Sequence, residues 1–253
     1  MKHKHIGLSA LLGATAFVGS VHGANVIVNP GFDNDSGTPI GAGGGGDRTI
    51  TGWGSMHLYS QTYSGTQGPL LYEATSDTAA DTYKGLRAPS QTVDLSTSLS
   101  GADLANIANG NGTFTFGSWM AGYSGDGNIV ATQLQFFSST DGSGAALSTF
   151  TLDRGVTTNQ INTADKIVNP GGGNNATSET DPDWWAQYEL SNTVPASAQS
   201  LTVTFVAGTG HAAGGANDWY ADDVIVDITT VPEPSSAALV GLGGLALILR
   251  RRK

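Results

Sequence analysis

The sequence predicts an all-β fold, an antiparallel β-sandwich or jelly roll with long Gly-rich loops, and three observations lead to it. Short alternating or apolar runs recur along the chain between clusters of Gly, Asn, Asp and Ser. Glycine makes up 36 of the 253 residues, about twice average usage, yet 39% of the residues are hydrophobic and can fill a core. Only Gly101–Asn109 has helical spacing, through Leu104, Ile107 and Ala108. Many strands with almost no helix favour two packed antiparallel sheets.

The strands are predicted from alternation and from the turn clusters that separate them. In chain order they are Asn25–Asn29, Ile50–Trp53, Leu70–Tyr72, Gln91–Leu95, Thr113–Met120, Ile129–Ser138, Leu147–Leu152, Trp185–Leu190, Leu201–Ala207 and Trp219–Ile228. The pattern is clearest in Thr113–Met120, because Phe114, Phe116 and Met120 share one parity while the threonines take the other. Clusters such as Asp141–Gly144 predict turns, since glycine reaches positive φ without a Cβ clash.

Residues 1–23 are typical of a secretory signal peptide. Lys2 and Lys4 form a positive start, and Ile6–Val18 is nearly all apolar or small. Val21–Gly23 then supplies a cleavage zone, so we expect cleavage after Gly23. A buried N-terminal helix is the alternative, although this run has no polar face.

Residues 231–253 have three parts in a fixed order. They are Pro232, Glu233 and Pro234, then the uncharged and mostly apolar segment Ser235–Leu249, and finally Arg250, Arg251, Arg252 and Lys253. At ~1.5 Å per residue the apolar segment spans about 22 Å as a helix, short of the ~30 Å hydrocarbon core of a bilayer. We therefore expect this short transmembrane helix to enter the inner membrane transiently, with its basic end in the cytoplasm.

This tripartite segment resembles the PEP-CTERM sorting signal of Gram-negative bacteria. The resemblance implies recognition by a membrane-embedded exosortase and processing near Pro232, Glu233 and Pro234. It further implies delivery to the cell surface or to an extracellular polysaccharide matrix. An ordinary tail anchor is the alternative.

Residues 24–229 contain no Pro/Ser linker and no fixed-period repeat, which predicts one domain. Five of the 11 basic and 20 of the 21 acidic residues lie here, so this region carries a net charge of −15 against −10 for the whole chain. Such acidity argues against a nucleic-acid partner, which needs a basic face, and makes divalent cations natural partners. The absence of Cys excludes disulfides and cysteine-based zinc or nucleophilic chemistry.

Four patches of the middle region together resemble carbohydrate-binding-module and galactose-binding-like jelly rolls. They are Asn25–Asp33, Gly52–Trp53, Thr113–Trp119 and Trp219–Val226. The first contains an opening strand with its Asn-x-Gly-Phe turn, and the last contains a closing Asp-Asp-Val strand. The resemblance implies a polysaccharide ligand and a structural Ca²⁺ between Asp33 and Asp222, with Asp33 standing where the family usually has Glu.

The calcium expectation agrees with the chemistry of these residues. Ca²⁺ takes several hard oxygen ligands, which carboxylates and loop carbonyls supply. Parity places Asp222 in line with Val224, Val226 and Ile228, a face we expect to be buried, and a buried carboxylate needs a partner such as a metal. In the alternative, Asp33 and Asp35 only cap a turn.

Tryptophans are the predicted sugar platform. Trp184 and Trp185 are consecutive at the start of the predicted strand Trp185–Leu190, and because neighbours on a strand face opposite ways, at least one should point outward. Trp119 shares the parity of the polar face of its strand, which predicts that it is accessible as well. The alternative is that each of these rings packs in a core or an edge.

The sequence contains no catalytic motif, with no Gly-x-Ser-x-Gly, His-Glu-x-x-His or P-loop pattern. We therefore predict an exported, non-catalytic surface or matrix protein that contacts polysaccharide. A calcium-dependent enzyme of hydrolase or cyclase type on the same scaffold is the alternative.

Overall fold

The computed structural model describes residues 23–32, 45–60, 78–81, 89–122, 130–166, 184–207 and 219–231. Their strands are β1 (Ala24–Asn25), β2 (Gly45–Ile50), β3 (Gly54–Ser60), β4 (Thr78–Asp81), β5 (Ser90–Asp94), β6 (Gly112–Gly122), β7 (Val130–Phe137), β8 (Ser148–Asp153), β9 (Gln160–Lys166), β10 (Trp184–Thr193), β11 (Ser200–Ala207) and β12 (Trp219–Thr230). The helices are α1 (Leu95–Ser98) and α2 (Gly101–Ala108), and Thr157–Asn159 forms one 3₁₀ turn.

The strands form two antiparallel sheets. The large sheet has the order β2-β3-β4-β12-β6-β10-β9, with β1 also paired to β12, and the small sheet has the order β5-β11-β7-β8. The chain crosses between the sheets from β4 to β5, from β5 to β6, from β6 to β7, from β8 to β9, from β10 to β11 and from β11 to β12. This winding confirms the predicted all-β sandwich of jelly-roll type.

The core lies between the inner faces of the two sheets. Phe114 and Phe116 of β6 and Leu134 and Phe136 of β7 are buried, and the rings of Phe114 and Phe136 lie 5.2 Å apart. Phe150 of β8 packs edge-on against Phe114 at 4.9 Å. Because such side chains recur at every second position, burying one face of each strand holds the sheets together, at roughly 1.5–3 kcal/mol for each large side chain.

Seven of the predicted strands are confirmed, with ends that differ by no more than three residues. They correspond to β5, β6, β7, β8, β10, β11 and β12, and the predicted helix corresponds to α2. The prediction Leu70–Tyr72 lies outside the described residues. Most of the confirmed segments have a clear alternation of apolar and polar residues, as a half-buried strand requires.

The prediction of a strand over Asn25–Asn29 is wrong beyond Asn25. The Asn25 side chain accepts hydrogen bonds from the amides of Ile27, at 3.1 Å, and Val226, at 3.0 Å. Its Nδ2 donates to the Val224 carbonyl at 3.2 Å. The Val26 amide still donates to the Val226 carbonyl at 3.0 Å, and beyond this bond the segment leaves the sheet, with the Asn25 side chain in place of further ladder bonds.

The prediction of a strand over Ile50–Trp53 is also wrong. Ile50 ends β2, and the next three residues turn the chain into β3, with the Trp53 amide donating to the Ile50 carbonyl at 3.0 Å. Gly52 has a φ of 83°, which β-branched or aromatic neighbours could not adopt without strain. The Gly-Trp pair therefore marks a hairpin turn.

Several elements had no sequence prediction: β2, β3, β4, β9 and α1. β2, with the sequence GGDRTI, lacks alternating apolar residues. α1 is a single turn capped by the Asp94 side chain, which accepts from the Ser96 amide at 2.8 Å. In the described parts of the chain, neither helix is long and apolar enough to cross a membrane. The predicted signal peptide, apart from Gly23, and residues 232–253 lie outside them.

Candidate functional site

Three of the four patches that carry the jelly-roll resemblance converge at one corner of the sandwich. The rings of Phe32 and Trp53 lie 4.9 Å apart, and each packs against Phe205 of β11, at 5.8 and 5.7 Å. Trp53 Nε1 donates to the Asn29 carbonyl at 3.0 Å. The Asn-x-Gly-Phe turn and the Gly-Trp turn, distant in sequence, therefore form one buried aromatic cluster.

The segment Val28–Phe32 is hydrogen-bonded to both sheets. The Gln91 side chain of β5 makes two hydrogen bonds to the backbone of Val28. Its Oε1 accepts from the Val28 amide at 2.7 Å, and its Nε2 donates to the Val28 carbonyl at 2.9 Å. On the other side, the Val224 amide of β12 donates to the Pro30 carbonyl at 3.1 Å. The sequence predicted this turn but not the role of Gln91, a buried amide in an otherwise apolar strand face.

Asp222 lies beside this turn and is completely buried. Its Oδ1 accepts from the Asp223 amide at 2.9 Å. A Cβ placed on Gly31 would lie 3.5 Å from Asp223 Oδ1 and 3.9 Å from Asp222 Oδ1. Two carboxylates therefore lie beside the turn that leads directly to Asp33, which is outside the described residues.

The expected burial of Asp222 is confirmed, but its expected alignment with Val224, Val226 and Ile228 is wrong. A β-bulge interrupts β12 between Asp222 and Ile225, and Asp223 within it has a φ of 47°. The extra residue reverses the parity of the strand. Asp222 consequently pairs with Trp119, on the face opposite the core.

Trp119 is only 2% exposed, so the expectation that its ring is accessible is wrong. Its parity was assigned correctly, because it pairs with Asp222 and Gln187 on the outer face of the large sheet. Gly117 and Asp222 on that face are buried too. Outward parity therefore does not mean exposure in this part of the sheet.

Trp184 and Trp185 are the first residues of β10, and Trp184 pairs with Lys166 of β9. Their side chains lie outside the described parts of the structure. Their role as a sugar platform stays a prediction.

A buried polar cluster that the sequence analysis missed joins β8, β9 and β10. The Tyr188 hydroxyl lies 3.1 Å from the Arg154 carbonyl, 3.2 Å from Arg154 Nη1 and 3.2 Å from Gln160 Oε1. Burial raises the pKa of Tyr188 above its usual value, and the nearby Arg154 guanidinium opposes this. No local signal distinguishes Tyr188 from an ordinary core residue of the same parity.

The end of β12 is held against α2. Thr230 Oγ1 donates to Asp103 Oδ1 at 2.7 Å, and the Val231 amide donates to the Asn111 carbonyl at 3.1 Å. Asp103 is also the acidic member of the capping box that begins at Ser100. Its hydrogen bonds with Ser100 and then with Thr230 lower the pKa of Asp103. Folded structure therefore continues to the residue directly before Pro232.

A groove with a volume of about 390 Å³ lies between the helices and the loops that follow β7 and β10. Its lining includes Leu104 and Ala108 of α2 and Ala198 before β11. Among the residues that the structure describes, no three His, Cys, Asp or Glu residues come together as a metal site. Nothing in the described parts favours the alternative of a calcium-dependent enzyme.

Residues 230–253 match the family model of the PEP-CTERM protein-sorting motif. This agrees with the expectation for residues 231–253 and extends it by one residue, to Thr230 of β12. The motif indicates an exported protein that passes through the membrane. None of the curated protein sequences matches this chain.

Among solved structures, a family 16 carbohydrate-binding module is 14% identical, with a TM-score of 0.37, and the match covers 80% of this chain and 99% of the module. The C-terminal family 22 carbohydrate-binding module of Clostridium thermocellum Xyn10B is 14% identical, with a TM-score of 0.34 and coverage of 81% and 98%. The enzymatically active domain of tailspike protein 4 from bacteriophage CBA120 is 12% identical, with a TM-score of 0.36. That match covers 81% of this chain but only 21% of the tailspike chain. These TM-scores are too low to assign a function.

Proposed function

We propose that the protein is a non-catalytic, exported protein that an exosortase processes near Pro232, Glu233 and Pro234 and that is delivered to the cell surface or its matrix. The observation that carries this proposal is the match of residues 230–253 to the sorting motif. The basic residues Arg250, Arg251 and Arg252 close the motif and stay on the cytoplasmic side of the inner membrane before processing.

The junction with the folded domain supports this proposal. Thr230 is the last residue of β12, and Val231 is exposed and bonded through its amide to Asn111. Pro232 follows at once and has no amide hydrogen to extend the ladder. β12 therefore ends directly before Pro232, so that cleavage near Pro234 would leave this strand intact.

Mass spectrometry of the mature C-terminus, after cell fractionation, tests the sorting route. We expect the surface or medium fraction to contain a species that ends near Pro234, and the membrane fraction to contain the full chain. The variant E233Q should accumulate in the membrane, whereas E189Q, a change in β10 outside the motif, should be processed normally. A surface species that still ends at Lys253 would contradict the proposal.

We propose that the ligand of the exported domain is a polysaccharide. The support is the convergence of three of the resembling patches on one corner, with Phe32 against Trp53 and Gly31 beside Asp222. Trp184 and Trp185 remain the proposed platform, and the buried Trp119 is no longer part of it. Full chain carrying W185A should lose retention on immobilised glycan, whereas W119F should keep it.

We also propose a structural Ca²⁺ at this corner. The residues present fit such an ion, since Asp222 is a buried carboxylate and Asp223 lies beside it against Gly31. Asp33, two residues after Gly31, would add a further oxygen ligand. When bound, the ion would neutralise these carboxylates and join the N-terminal turn to β12.

Thermal melting with added calcium tests the site. Millimolar Ca²⁺ should raise the melting midpoint of the wild-type chain and leave that of D222N unchanged. D227N, which removes a carboxylate from the same strand away from the corner, should respond like the wild type. An equal response of all three proteins, or no response in the wild type, would remove the calcium proposal.

A further inference from the structure

The outer face of the small sheet carries a regular array of uncharged polar side chains, which we call the threonine face. It consists of Ser90 and Thr92 of β5, Thr202 and Thr204 of β11, Gln133 and Gln135 of β7, and Thr149 and Thr151 of β8. The alternation that puts Leu201, Val203 and Leu134 in the core turns these eight residues outward. Four of them are exposed and four are half-buried.

The register aligns the threonine face into two rows across all four strands. One row is Ser90, Thr204, Gln133 and Thr151, and the other is Thr92, Thr202, Gln135 and Thr149. Neighbouring strands lie ~4.8 Å apart, so each row is about 14 Å long. Thr92 and Thr202 share a hydrogen bond of 2.9 Å, and Gln135 Nε2 donates to Thr149 Oγ1 at 3.3 Å. These contacts order the side chains before any ligand arrives.

One edge of this face is bordered by the loop between β7 and β8. A Cβ on Gly142 would lie 3.0 Å from both Thr92 Cγ2 and Thr202 Oγ1, so the loop backbone contacts the second row. The Ser143 amide donates to Asp141 Oδ1 at 3.0 Å and Ser139 Oγ donates to the Ser143 carbonyl at 2.8 Å, which gives the loop a defined shape. A linear ligand that follows the border would lie along the rows, across the strands.

The composition of the threonine face selects the class of ligand. Hydroxyl and amide groups donate and accept hydrogen bonds, as sugar hydroxyls do. The face holds no cation to attract an anionic polymer, and the domain around it has a net charge of −15, which repels one. It also offers no apolar patch to a lipid or a hydrophobic peptide.

We propose that the threonine face binds a neutral, extended polysaccharide that lies across the strands and repeats at about the strand spacing. This deepens the proposed function and rests on it, because it adds a second contact surface for the polysaccharide and names the charge class of that polysaccharide. It differs from the tryptophan platform at the start of β10, which belongs to the large sheet.

The test compares two triple variants of the full chain, purified in mild detergent. T149V, T151V and T204V together remove three hydroxyls from the threonine face, and valine keeps the shape of each side chain and favours a strand. The matched control, T113V with T115V and T193V, makes the same change on the outer face of the large sheet. Retention is measured on insoluble cellulose, as a neutral extended glucan, and on immobilised alginate, as an anionic polymer.

We expect the wild type and the control to be retained on cellulose and not on alginate. The threonine-face variant should bind cellulose at least about tenfold more weakly, because three hydrogen bonds are lost. Soluble cello-oligosaccharide should release the wild type from the cellulose.

Three results would overturn the proposal. Equal retention of the two triple variants on cellulose would show that the polysaccharide binds another surface. The proposed polysaccharide contact would then still stand. Failure of the wild type to bind cellulose, xylan and dextran would remove the polysaccharide contact itself. A change of sedimentation in the threonine-face variant without a change in retention would show that the face binds a second copy of the chain.

Discussion

The two outer faces of the sandwich arise from the same strand alternation, yet their environments differ. On the large sheet, Gly117, Trp119 and Asp222 point away from the core and are nevertheless buried. On the small sheet, Thr92, Thr149 and Thr151 point away from the core and are exposed. Alternation with a period of two residues sets the face of the sheet on which a residue lies. Whether solvent or a ligand can reach that residue depends on what packs over the face.

The position of charge differs between the two faces. Glu189 and Asp227 lie within the strands on the outer face of the large sheet, whereas the outward carboxylates of the small sheet, Asp94 and Asp153, lie at strand ends beyond the eight uncharged residues of the threonine face. A solvated sheet face in an acidic protein has no structural need to avoid charge. The uncharged array is therefore the feature of the small sheet that a binding role explains best.

The largest expected effect tests the covered face. W119A should lower the free energy of unfolding by about 3–5 kcal/mol, because it empties a large buried volume. T204A, on the outer face of the small sheet, should change that free energy by no more than ~0.5 kcal/mol. Urea unfolding followed by far-ultraviolet circular dichroism measures both. Similar small effects of the two substitutions would mean that Trp119 is not covered, and the comparison of the faces would fail.

A smaller effect tests the border of the threonine face. G142A should destabilise the domain by about 1–3 kcal/mol, because it puts a side chain at a φ of 74° and a Cβ against Thr92 and Thr202. G144A is the control, since Gly144 also has a positive φ, of 90°, but has no atom within 4 Å of the Cβ position. Replacing Thr92 by Ser, which removes Cγ2, should recover part of the loss in G142A and none in G144A. Equal losses in the two glycine variants would show that the loop does not contact the face.

The smallest expected effect is the pH dependence of stability that comes from Asp103 of α2, which is bonded to the end of β12 in the large sheet. Hydrogen bonds hold the pKa of Asp103 below its ordinary value of 3.8, so the carboxylate stabilises the fold above that pH. This contribution is lost as the pH falls through the lowered pKa of the folded state. The urea midpoint of the wild type should therefore fall more steeply below pH 4 than that of D103N. A parallel fall in both proteins would show that the contact between Asp103 and Thr230 does not contribute.

D103N should leave the retention of the protein on cellulose unchanged at neutral pH. Asp103 bonds the end of β12 in the large sheet, and the threonine face lies on the small sheet. A loss of cellulose retention in D103N at neutral pH would indicate that the two sheets do not act independently.

Most strands could be predicted because a half-buried strand must alternate in sequence. β6, β7 and β11 follow this rule and were found within two residues of their ends. β2, β4 and β9 could not be predicted, since their residues show no such alternation and their pairing depends on neighbouring strands. Asn25 illustrates the same limit, because only tertiary contact with Val224 and Val226 shows that a side chain ends the ladder.

In the candidate site, too, some features could be predicted from the sequence and others could not. The burial of Asp222 agrees with the sequence analysis, although the strand alignment from which it was predicted is wrong, and the contact between Phe32 and Trp53 was not predicted. The bulge at Asp223, the cover over Trp119 and the buried Tyr188 hydroxyl carry no local signal. They depend on contacts between residues far apart in the chain.

By itself, the sequence determined the fold class, the position of most strands and the sorting motif, because each is written in a local pattern of residue types. Only the tertiary structure decided which outward-pointing residues are accessible and how the polar residues of four strands align in rows. The physical reason is that accessibility and register depend on which strands pair and what packs above them. A bulge of one residue, as at Asp223, changes both without altering the pattern around it.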